Sequence, residues 1–469
     1  MISGSSYQGQ RIRDPLHDLI EFREAADEFE HMLWRVVQTE PFQRLRRVKQ
    51  LGFSEFVYPG ATHSRFAHSL GVFHTARRLM EVVKRHVPRP SESKIQRALA
   101  AALVHDVGHG AFSHAFETVG KRLNLKMADH EHVSNELIRH SEIASELNEL
   151  GSGFATDVAD IIQGSGKKTV YRAVVSSQFD ADRLDYMRRD RIMTGTQHSA
   201  IDFEWLIANL EVGKLPIGMD NEQIGEVETF VLGPKAFYAA EAFVLGLFQL
   251  YPTVYLHKAT RGVEKIFVEL LTHVFELGRD GGWKKTGLPE NHPLIQFAKN
   301  SDNLSKALVL DDAVVSGALP LMLEAEDPLI ADFARRIRSR DLYKCIDVRA
   351  EVSLLVDPNG SDDAEKMNEI DAACQRINVK LNEWSLDNGA VPRVLFDSAE
   401  RSPYKEIGQT KGPLDQINIR TEGNKLVDLK SRSPVVASLK TFKLARAYVS
   451  RDDADAKEMV DKLVKELGK

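Results

Sequence analysis

Residues 99–114 read Leu99-Ala-Ala-Ala-Leu-Val-His105-Asp106-Val-Gly-His109-Gly-Ala-Phe-Ser-His114, an apolar run that ends in ionisable side chains. The apolar residues of this run and of the turn before it recur at helical spacing, which predicts a helix with one buried face. Ionisable groups at the inner end of a core helix are costly to bury unless something compensates them. A divalent metal ion is the simplest compensation, because neutral imidazole and carboxylate are both good ligands.

A buried histidine that is hydrogen-bonded to a carboxylate is the simpler explanation of a lone pair such as His105-Asp106. The chain has 16 histidines, and three of them, His105, His109 and His114, fall within this one stretch. That local density favours a functional site over a single buried pair.

The composition is that of an ordinary globular protein, with 43% hydrophobic and 28% charged residues among 469. The length predicts about two or three domains, or one large core with an appendage. The formal net charge of −6 provides no general attraction for nucleic acid, so nucleic acid is not indicated as a partner.

The cysteine content and the apolar runs bear on the compartment. The chain has two cysteines, Cys345 and Cys374, which predicts no disulfide framework and a reducing compartment, the cytosol. The first residues lack the pattern of a signal peptide. No apolar run approaches the roughly 20 residues that cross a bilayer, so we expect no membrane association.

Hydrophobic periodicity predicts a mainly α-helical protein with small hairpins. Turn residues predict an N-terminal hairpin over 8–24 and a second hairpin over 213–233, around Asp220-Asn221. The predicted helices cover 26–50, a segment that starts at Ser64, the run up to Val104, 130–139, 142–150, 155–163, 169–192 and 234–278, the last with a break near Pro252.

Beyond residue 280 the pattern changes to a mixture of helices and strands. Helices are predicted over 320–340, over 363–385 and at the C-terminus, and strands over 391–396, 417–419, 426–429 and 444–449. We therefore predict a helical core over 1–280 and a smaller α+β region over 281–469, which either supports assembly or covers a pocket.

Two other predicted helices carry candidate metal ligands. His68 lies among apolar residues on one side of its helix, where a satisfied core histidine is the simpler explanation. Asp182 lies on the 169–192 segment, where solvated charges on an amphipathic face are the simpler explanation. Together with His105 and Asp106, these residues form a set of nitrogen and oxygen donors on the apolar sides of three helices.

This set resembles the metal ligands of HD-domain phosphohydrolases, which follow the order His, His-Asp, Asp along the chain. Further motifs resemble the deoxynucleoside triphosphate triphosphohydrolase branch, and the likeness covers residues 10–275. The His-Asp pair alone is weakly specific, whereas the joint set of motifs is strongly specific. The motifs are Gln50-Leu-Gly52, Pro59-Gly-Ala61, Arg65-Phe-Ala-His68-Ser-Leu-Gly-Val72, His105 to His114, His130-Glu131 and Asp180-Ala-Asp182-Arg-Leu-Asp-Tyr186.

The resemblance implies an HD-domain core and a metal-dependent hydrolase that acts on phosphoric ester bonds. It implies that His68, His105, Asp106 and Asp182 hold a divalent ion. These donors suit Mn, Fe, Co or Ni and tolerate Mg or Zn, so the ion's identity stays open. Water would attack the α-phosphorus of a deoxynucleoside triphosphate and release the deoxynucleoside and inorganic triphosphate.

The remaining site residues are assigned through the resemblance, beside simpler explanations such as surface salt bridges or a core tyrosine. His109 and His114 match positions that contact the α-phosphate and take part in proton transfer. Glu117, His130 and Glu131 are candidates for an acid–base relay. The predicted substrate contacts are Arg65, Arg183 and Lys258 for the outer phosphates, and Gln50, Leu51, Tyr186 and Asp190 for the sugar.

One segment departs from the family pattern and leaves the deoxyribose preference open. Around His257-Lys-Ala-Thr-Arg261, Arg261 falls near an expected tyrosine and Thr253 near an expected arginine.

Two other functions fit the same metal set. One is an HD-type phosphomonoesterase, phosphodiesterase or nuclease. The other is a nucleotide-sensing regulator with little turnover, against which the complete ligand set argues. The family also implies a homo-oligomer, from dimer to hexamer, and allows a nucleotide effector.

Overall fold

The computed structural model describes residues 9–23, 27–219, 222–361, 363–387, 391–402, 404 and 416–468. Helices dominate these residues, and the strands form only small sheets. The mainly α-helical fold with a smaller α+β C-terminal region is therefore confirmed.

The helices before residue 280 build the part of the chain that carries the histidine motifs. They are α1 (Glu28–Gln38), α2 (Glu40–Arg44), α3 (Arg65–His86), α4 (Glu92–Val104), α5 (His114–Leu123), α6 (His130–His140), α7 (Glu142–Leu147), α8 (Phe154–Gln163), α9 (Val170–Ala173), α10 (Ala181–Thr194), α11 (Phe203–Ala208), α12 (Phe237–Leu250) and α13 (Lys258–Arg279).

The later helices are shorter on average and alternate with strands. They are α14 (Pro293–Lys299), α15 (Leu304–Leu308), α16 (Asp312–Met322), α17 (Pro328–Ser339), α18 (Val348–Val356), α19 (Ala364–Asp387), α20 (Leu429–Arg432), α21 (Pro434–Ser438) and α22 (Ala454–Leu467).

Three small sheets accompany the helices. Their strands are β1 (Gln10–Asp14), β2 (Asp18–Phe22), β3 (Leu210–Met219), β4 (Glu222–Leu232), β5 (Lys344–Ile346), β6 (Val394–Arg401), β7 (Asn418–Arg420), β8 (Leu426–Asp428) and β9 (Phe442–Val449). The sheet orders are β1-β2, β3-β4-β7-β8 and β5-β9-β6. β7 pairs in parallel with β4, where Ile419 lies opposite Leu232. A segment from the C-terminal region therefore extends the β3-β4 hairpin. The predicted turn at Asp220-Asn221 lies outside the described residues.

Three predicted helices are interrupted in the structure. The segment 26–50 divides into α1 and α2 at Thr39, whose backbone is extended. The segment 169–192 divides into α9 and α10, because the Asp180 side chain accepts hydrogen bonds from the backbone N–H groups of Ser177 and Arg183 and starts a new helix. The segment 320–340 divides into α16 and α17, because Asp327 caps a helix whose first residue is Pro328.

The helix α4 lies at the centre of the largest hydrophobic cluster. Every side chain from Ala98 to Val104 is buried, so the helix is covered on more than the one face that its periodicity predicts. Its alanines are small enough for neighbouring helices to pack closely around it. A core helix therefore delivers His105 and Asp106 into the interior.

A second hydrophobic cluster joins α5 and α13 to α14, α16 and α17, and a third joins α18, α19 and α22 to β6 and β9. The second cluster draws residues from both sides of position 280, where the domain boundary stays a prediction. No single described helix is long and apolar enough to cross a membrane. The pair Pro234–Tyr255 and Lys258–Arg279 passes that test by length and composition, with a bend of 55° between them.

Candidate active site

The four predicted metal ligands converge although they come from three segments. α3 carries His68, the end of α4 leads into His105 and Asp106, and α10 carries Asp182. Oδ1 of Asp182 lies 3.0 Å from Nε2 of His68 and 3.7 Å from Nε2 of His105. Oδ1 of Asp106 lies 3.3 Å from Nε2 of His105. His68, His105 and Asp182 offer three ligand atoms that one ion can share, and Asp106 lies beside them.

The orientation of both imidazole rings fits a metal ion. Nδ1 of His68 lies 2.9 Å from Oδ2 of Asp185, and Nδ1 of His105 lies 2.9 Å from the backbone carbonyl oxygen of Ala102. Within the described residues, Nε2 of each ring is buried without a hydrogen-bond partner. An acceptor at Nδ1 fixes the tautomer that leaves the Nε2 lone pair free for a metal. The residues present therefore fit a divalent cation.

The electrostatics of this cluster also favour a cation. Burial opposes a charge on His68, but the carboxylates of Asp182 and Asp185 outweigh it and raise the pKa of His68 to about 10. Burial would raise the pKa of Asp182, yet the two histidines hold that pKa well below its usual range. The cluster is thus rich in negative charge, which a proton or a metal ion neutralises.

A second layer of residues supports His68 from behind. Asp185, which is fully buried, lies 2.7 Å from Nε2 of His17 and accepts a hydrogen bond from Nε of Arg189 at 2.7 Å. Arg189 also pairs with Asp14, so the β1-β2 hairpin is connected to the metal cluster. A Cβ atom at Gly71 would lie 2.1 Å from Oδ1 of Asp185, which explains why the helix has no side chain there. The sequence analysis missed Asp185.

A second cluster groups three histidines around Glu117. Oε1 of Glu117 lies 2.6 Å from Nδ1 of His130 and 3.5 Å from Nδ1 of His109. Oε2 lies 3.3 Å from Nδ1 of His114. The rings of His109 and His130 stack with their centroids 4.0 Å apart. A Cβ atom at Gly108 would lie 2.3 Å from the backbone N of Ser134, so the glycine lets α6 bring His130 this close.

The histidines of this second cluster favour different charge states. Burial lowers the pKa of His109, and the guanidinium of Arg65 lowers it further, so it stays well below its usual range. Burial also opposes a charge on His130, but Glu117 outweighs it and raises the pKa of that imidazole. A proton in this cluster therefore resides on His130 rather than on His109.

Both clusters border one cavity of about 440 Å³. Eight predicted site residues line it besides the metal ligands Asp106 and Asp182: Gln50, Leu51, Arg65, His109, His114, His130, Tyr186 and Asp190. The other lining residues were not predicted as site residues, and they include Tyr251, Tyr255, Arg261, Glu264 and Arg401. Arg401 belongs to β6, so the C-terminal region borders the cavity.

Asp190 lies at a polar corner of this cavity. Its Oδ2 accepts a hydrogen bond from the hydroxyl of Tyr255 at 2.9 Å, and its Oδ1 lies 2.9 Å from Nε2 of His63. The rings of Tyr186 and Tyr255 are 6.1 Å apart. In the sequence, Arg261 falls near the position where the family pattern has a tyrosine. In the structure, the tyrosine that contacts Asp190 is Tyr255.

Besides His68 and His105, four predicted residues are not among the lining of this cavity in the described part of the chain. One of them, Glu117, contacts the lining residues His114 and His130. Arg183 turns to Asp180, with Nη1 2.5 Å from Oδ2 of that carboxylate. Lys258 is exposed at the first turn of α13, and Glu131 is exposed at the first turn of α6. Their predicted roles stay predictions.

The match to known families falls on the segments that carry these clusters. Residues 65–190 match the model of the HD domain. The uncharacterised protein YwfO of Bacillus subtilis is 31% identical over 440 residues, which cover 93% of this chain and 90% of that protein. A deoxynucleoside triphosphate triphosphohydrolase SAMHD1 homolog of Dictyostelium discoideum is 28% identical over 350 residues, 72% of this chain and 60% of that protein.

The fold also matches a solved structure over nearly its whole length. A phosphohydrolase from Bacteroides thetaiotaomicron superimposes with a TM-score of 0.71 at 25% sequence identity, covering 95% of this chain and all of that chain.

Proposed function

This chain belongs to the HD-domain phosphohydrolase family, and we propose that it hydrolyses deoxynucleoside triphosphates to the deoxynucleoside and inorganic triphosphate. One observation carries the proposal. A cluster suited to a divalent cation and a histidine–glutamate cluster suited to proton transfer border the same cavity, whose volume of about 440 Å³ accommodates a nucleotide. The likeness to a deoxynucleoside triphosphate triphosphohydrolase supports the choice of substrate.

His68, His105 and Asp182 would hold the cation, with Asp106 beside them. When bound, a divalent ion supplies positive charge to phosphate oxygens and lowers the pKa of water. Asp106 pairs with Arg65, whose Nε also donates to Oγ of Ser113 at 2.8 Å. Arg65 is therefore held rigidly at the cavity wall, where its guanidinium is placed for a phosphate oxygen.

The histidine–glutamate cluster handles the protons. Attack at the α-phosphorus breaks the bond between phosphorus and the 5′ oxygen, and that oxygen leaves with a proton. Glu117 contacts both His114 and His130. It raises the pKa of His130, so His130 would hold the proton that is transferred. His109, kept neutral beside Arg65, would donate its single N–H to an α-phosphate oxygen without adding charge.

The sugar would bind beside other residues of the same cavity. Gln50, Leu51, Tyr186 and Asp190 all line the cavity and would contact the sugar. Tyr255 orients the Asp190 carboxylate, which accepts the 3′-hydroxyl hydrogen bond. Homo-oligomerisation, a nucleotide effector and a cytosolic location are implied by the family or by composition and stay predictions.

The products and the bond that is cleaved test this proposal. Each deoxynucleotide is incubated with the protein and Mn or Mg in ¹⁸O-labelled water, and the products are separated by ion chromatography and mass spectrometry. We expect inorganic triphosphate that carries the label, because water attacks phosphorus. Release of monophosphate or diphosphate would favour the phosphomonoesterase or phosphodiesterase alternative. Tight binding without turnover would favour the regulator.

A further inference from the structure

The turn between the two clusters has an unfavourable backbone conformation. Phe112 has a φ of +51° and Ser113 a φ of +53°, and residues other than glycine rarely adopt positive φ values. This turn connects the segment of Asp106 and His109 to His114, the first residue of α5. Surrounding contacts must hold such a turn in place, because it would otherwise relax.

A carboxylate from the C-terminal region holds it. Oδ1 of Asp312, the first residue of α16, accepts a hydrogen bond from the backbone N–H of Phe112 at 2.7 Å. Oδ2 of the same side chain accepts one from the backbone N–H of Lys49 at 3.0 Å. One carboxylate therefore ties together the turn before His114 and the segment that leads into Gln50.

Asp312 is anchored by these two N–H groups rather than by an ion pair. Its residue is 5% exposed, and the two N–H groups oppose the effect of burial more strongly than the charge of Lys49 does. Burial raises its pKa to about 6, which reflects the cost of keeping this carboxylate charged in the interior. Hydrogen bonds from two backbone donors compensate part of that cost.

The neighbouring Asp311 has a different task although it is equally buried. Its Oδ1 accepts the N–H of Val314 and caps α16, and its Oδ2 lies 2.5 Å from Nε of Arg47. Asp311 therefore caps α16 and pairs with Arg47, and an asparagine at this position keeps a capping oxygen. Asp312 instead accepts hydrogen bonds from the backbone N–H groups of Phe112 and Lys49.

We propose that Asp312 is a positioning residue for catalysis, which fixes the Phe112–Ser113 turn from the C-terminal region so that His114 faces the cavity. The effect extends to Arg65, since Oγ of Ser113 accepts from Nε of Arg65 and donates to the carbonyl oxygen of Lys49. The inference rests on the proposed function, because its first test measures kcat of the proposed reaction.

The variant Asp312→Asn tests this role against the matched control Asp311→Asn. An asparagine accepts one N–H through its oxygen, but its NH₂ group faces the other N–H, so one anchor of the turn is lost. We expect kcat to fall about tenfold to a hundredfold, because small displacements of catalytic groups have effects of that size. KM and metal content should stay near wild type, and Asp311→Asn should keep its kcat. Should Asp312→Asn fail to fold, Asp312→Glu keeps the charge but displaces the oxygens, and the same split is expected.

Amide hydrogen exchange separates this inference from the proposed function. In Asp312→Asn the amides of residues 110–114 should exchange about tenfold faster than in Asp311→Asn, whatever the substrate is. An unchanged exchange rate and an unchanged kcat would overturn the inference. Equal losses in both variants, or loss of the metal in Asp312→Asn alone, would also overturn it. Absence of triphosphate release by the wild-type protein would instead refute the proposed function.

Discussion

The two histidine–carboxylate clusters that border the cavity are built from the same side chains but differ in their balance of charge. In the first, two imidazoles face the three carboxylates of Asp106, Asp182 and Asp185. In the second, three imidazoles surround the carboxylate of Glu117, and one of them, His109, also lies 3.4 Å from Oδ1 of Asp106. An excess of carboxylate attracts a cation that stays bound, whereas an excess of imidazole lets a proton move among neighbours. The spacing of His109, His114 and Glu117 would also allow a metal ion, so the proposed division of roles between the clusters rests on this ratio of imidazole to carboxylate.

The largest expected effect comes from removing the carboxylate that both imidazoles of the first cluster share. Asp182→Asn replaces a charged ligand by an amide, so metal content should fall sharply and kcat should drop by about a thousandfold or more. Elemental analysis of the purified variant and product analysis measure the two effects. Asp180→Asn is the matched control, because Asp180 is buried at the start of the same helix and faces Arg183 instead. Full metal content in Asp182→Asn would contradict the assignment of the first cluster.

A smaller effect, of a different kind, is expected in the second cluster. Glu117→Gln should lower kcat by about a hundredfold, the size typical of lost acid–base catalysis, while metal content stays unchanged. Burial lowers the pKa of His130 and Glu117 raises it, so removal of Glu117 lowers that pKa. Activity that requires protonated His130 is lost as pH rises through this pKa. The alkaline limb of the kcat profile should therefore move to lower pH.

Glu136→Gln, on the same helix as His130, is the control for this measurement and should keep the wild-type profile. If Glu117→Gln lost its metal instead, the second cluster would resemble the first, and the contrast between them would disappear.

The smallest effect is expected behind the first cluster. Asp185→Asn keeps an acceptor for Nδ1 of His68 but removes the charge, so metal affinity should weaken by about tenfold to a hundredfold. At saturating metal, kcat should recover to near wild type. A titration of the metal-free protein with metal measures the affinity. The titration is done below the melting temperature of the variant, which we expect to be lowered because Arg189 loses a charged partner. An unchanged affinity would show that Asp185 supports the hairpin rather than the metal cluster.

The sequence predicted the parts of the site that follow from local patterns. The positions of His68 and His105 follow from helical periodicity, and the cap at Asp129 places His130 at a helix start. Asp185 escaped notice because it lies in a run of alternating charges that looks like a solvated face. Asp185 and Arg189 are nevertheless buried in that run, where Arg189 pairs with Asp14 of the distant β1-β2 hairpin.

Asp312 and Tyr255 escaped for related reasons. Nothing in the residues near Asp312 indicates that its acceptors serve a turn 200 residues earlier. Tyr255 lies at the end of the π-helical turn Tyr251–Tyr255, and such a turn shifts the spacing of side chains from that of a regular helix. Long-range pairing and local irregularity are the two kinds of information that periodicity does not contain.

The distance between Phe112 and Asp312 along the chain has a consequence for biosynthesis. At about 5–20 residues per second, a ribosome needs roughly 10–40 s to reach Asp312 after it has made the turn. During that interval the nascent polypeptide has its histidines but lacks the acceptor that fixes them. Nucleotide turnover at the full rate would then require that the later segment has been translated and has folded back onto the turn.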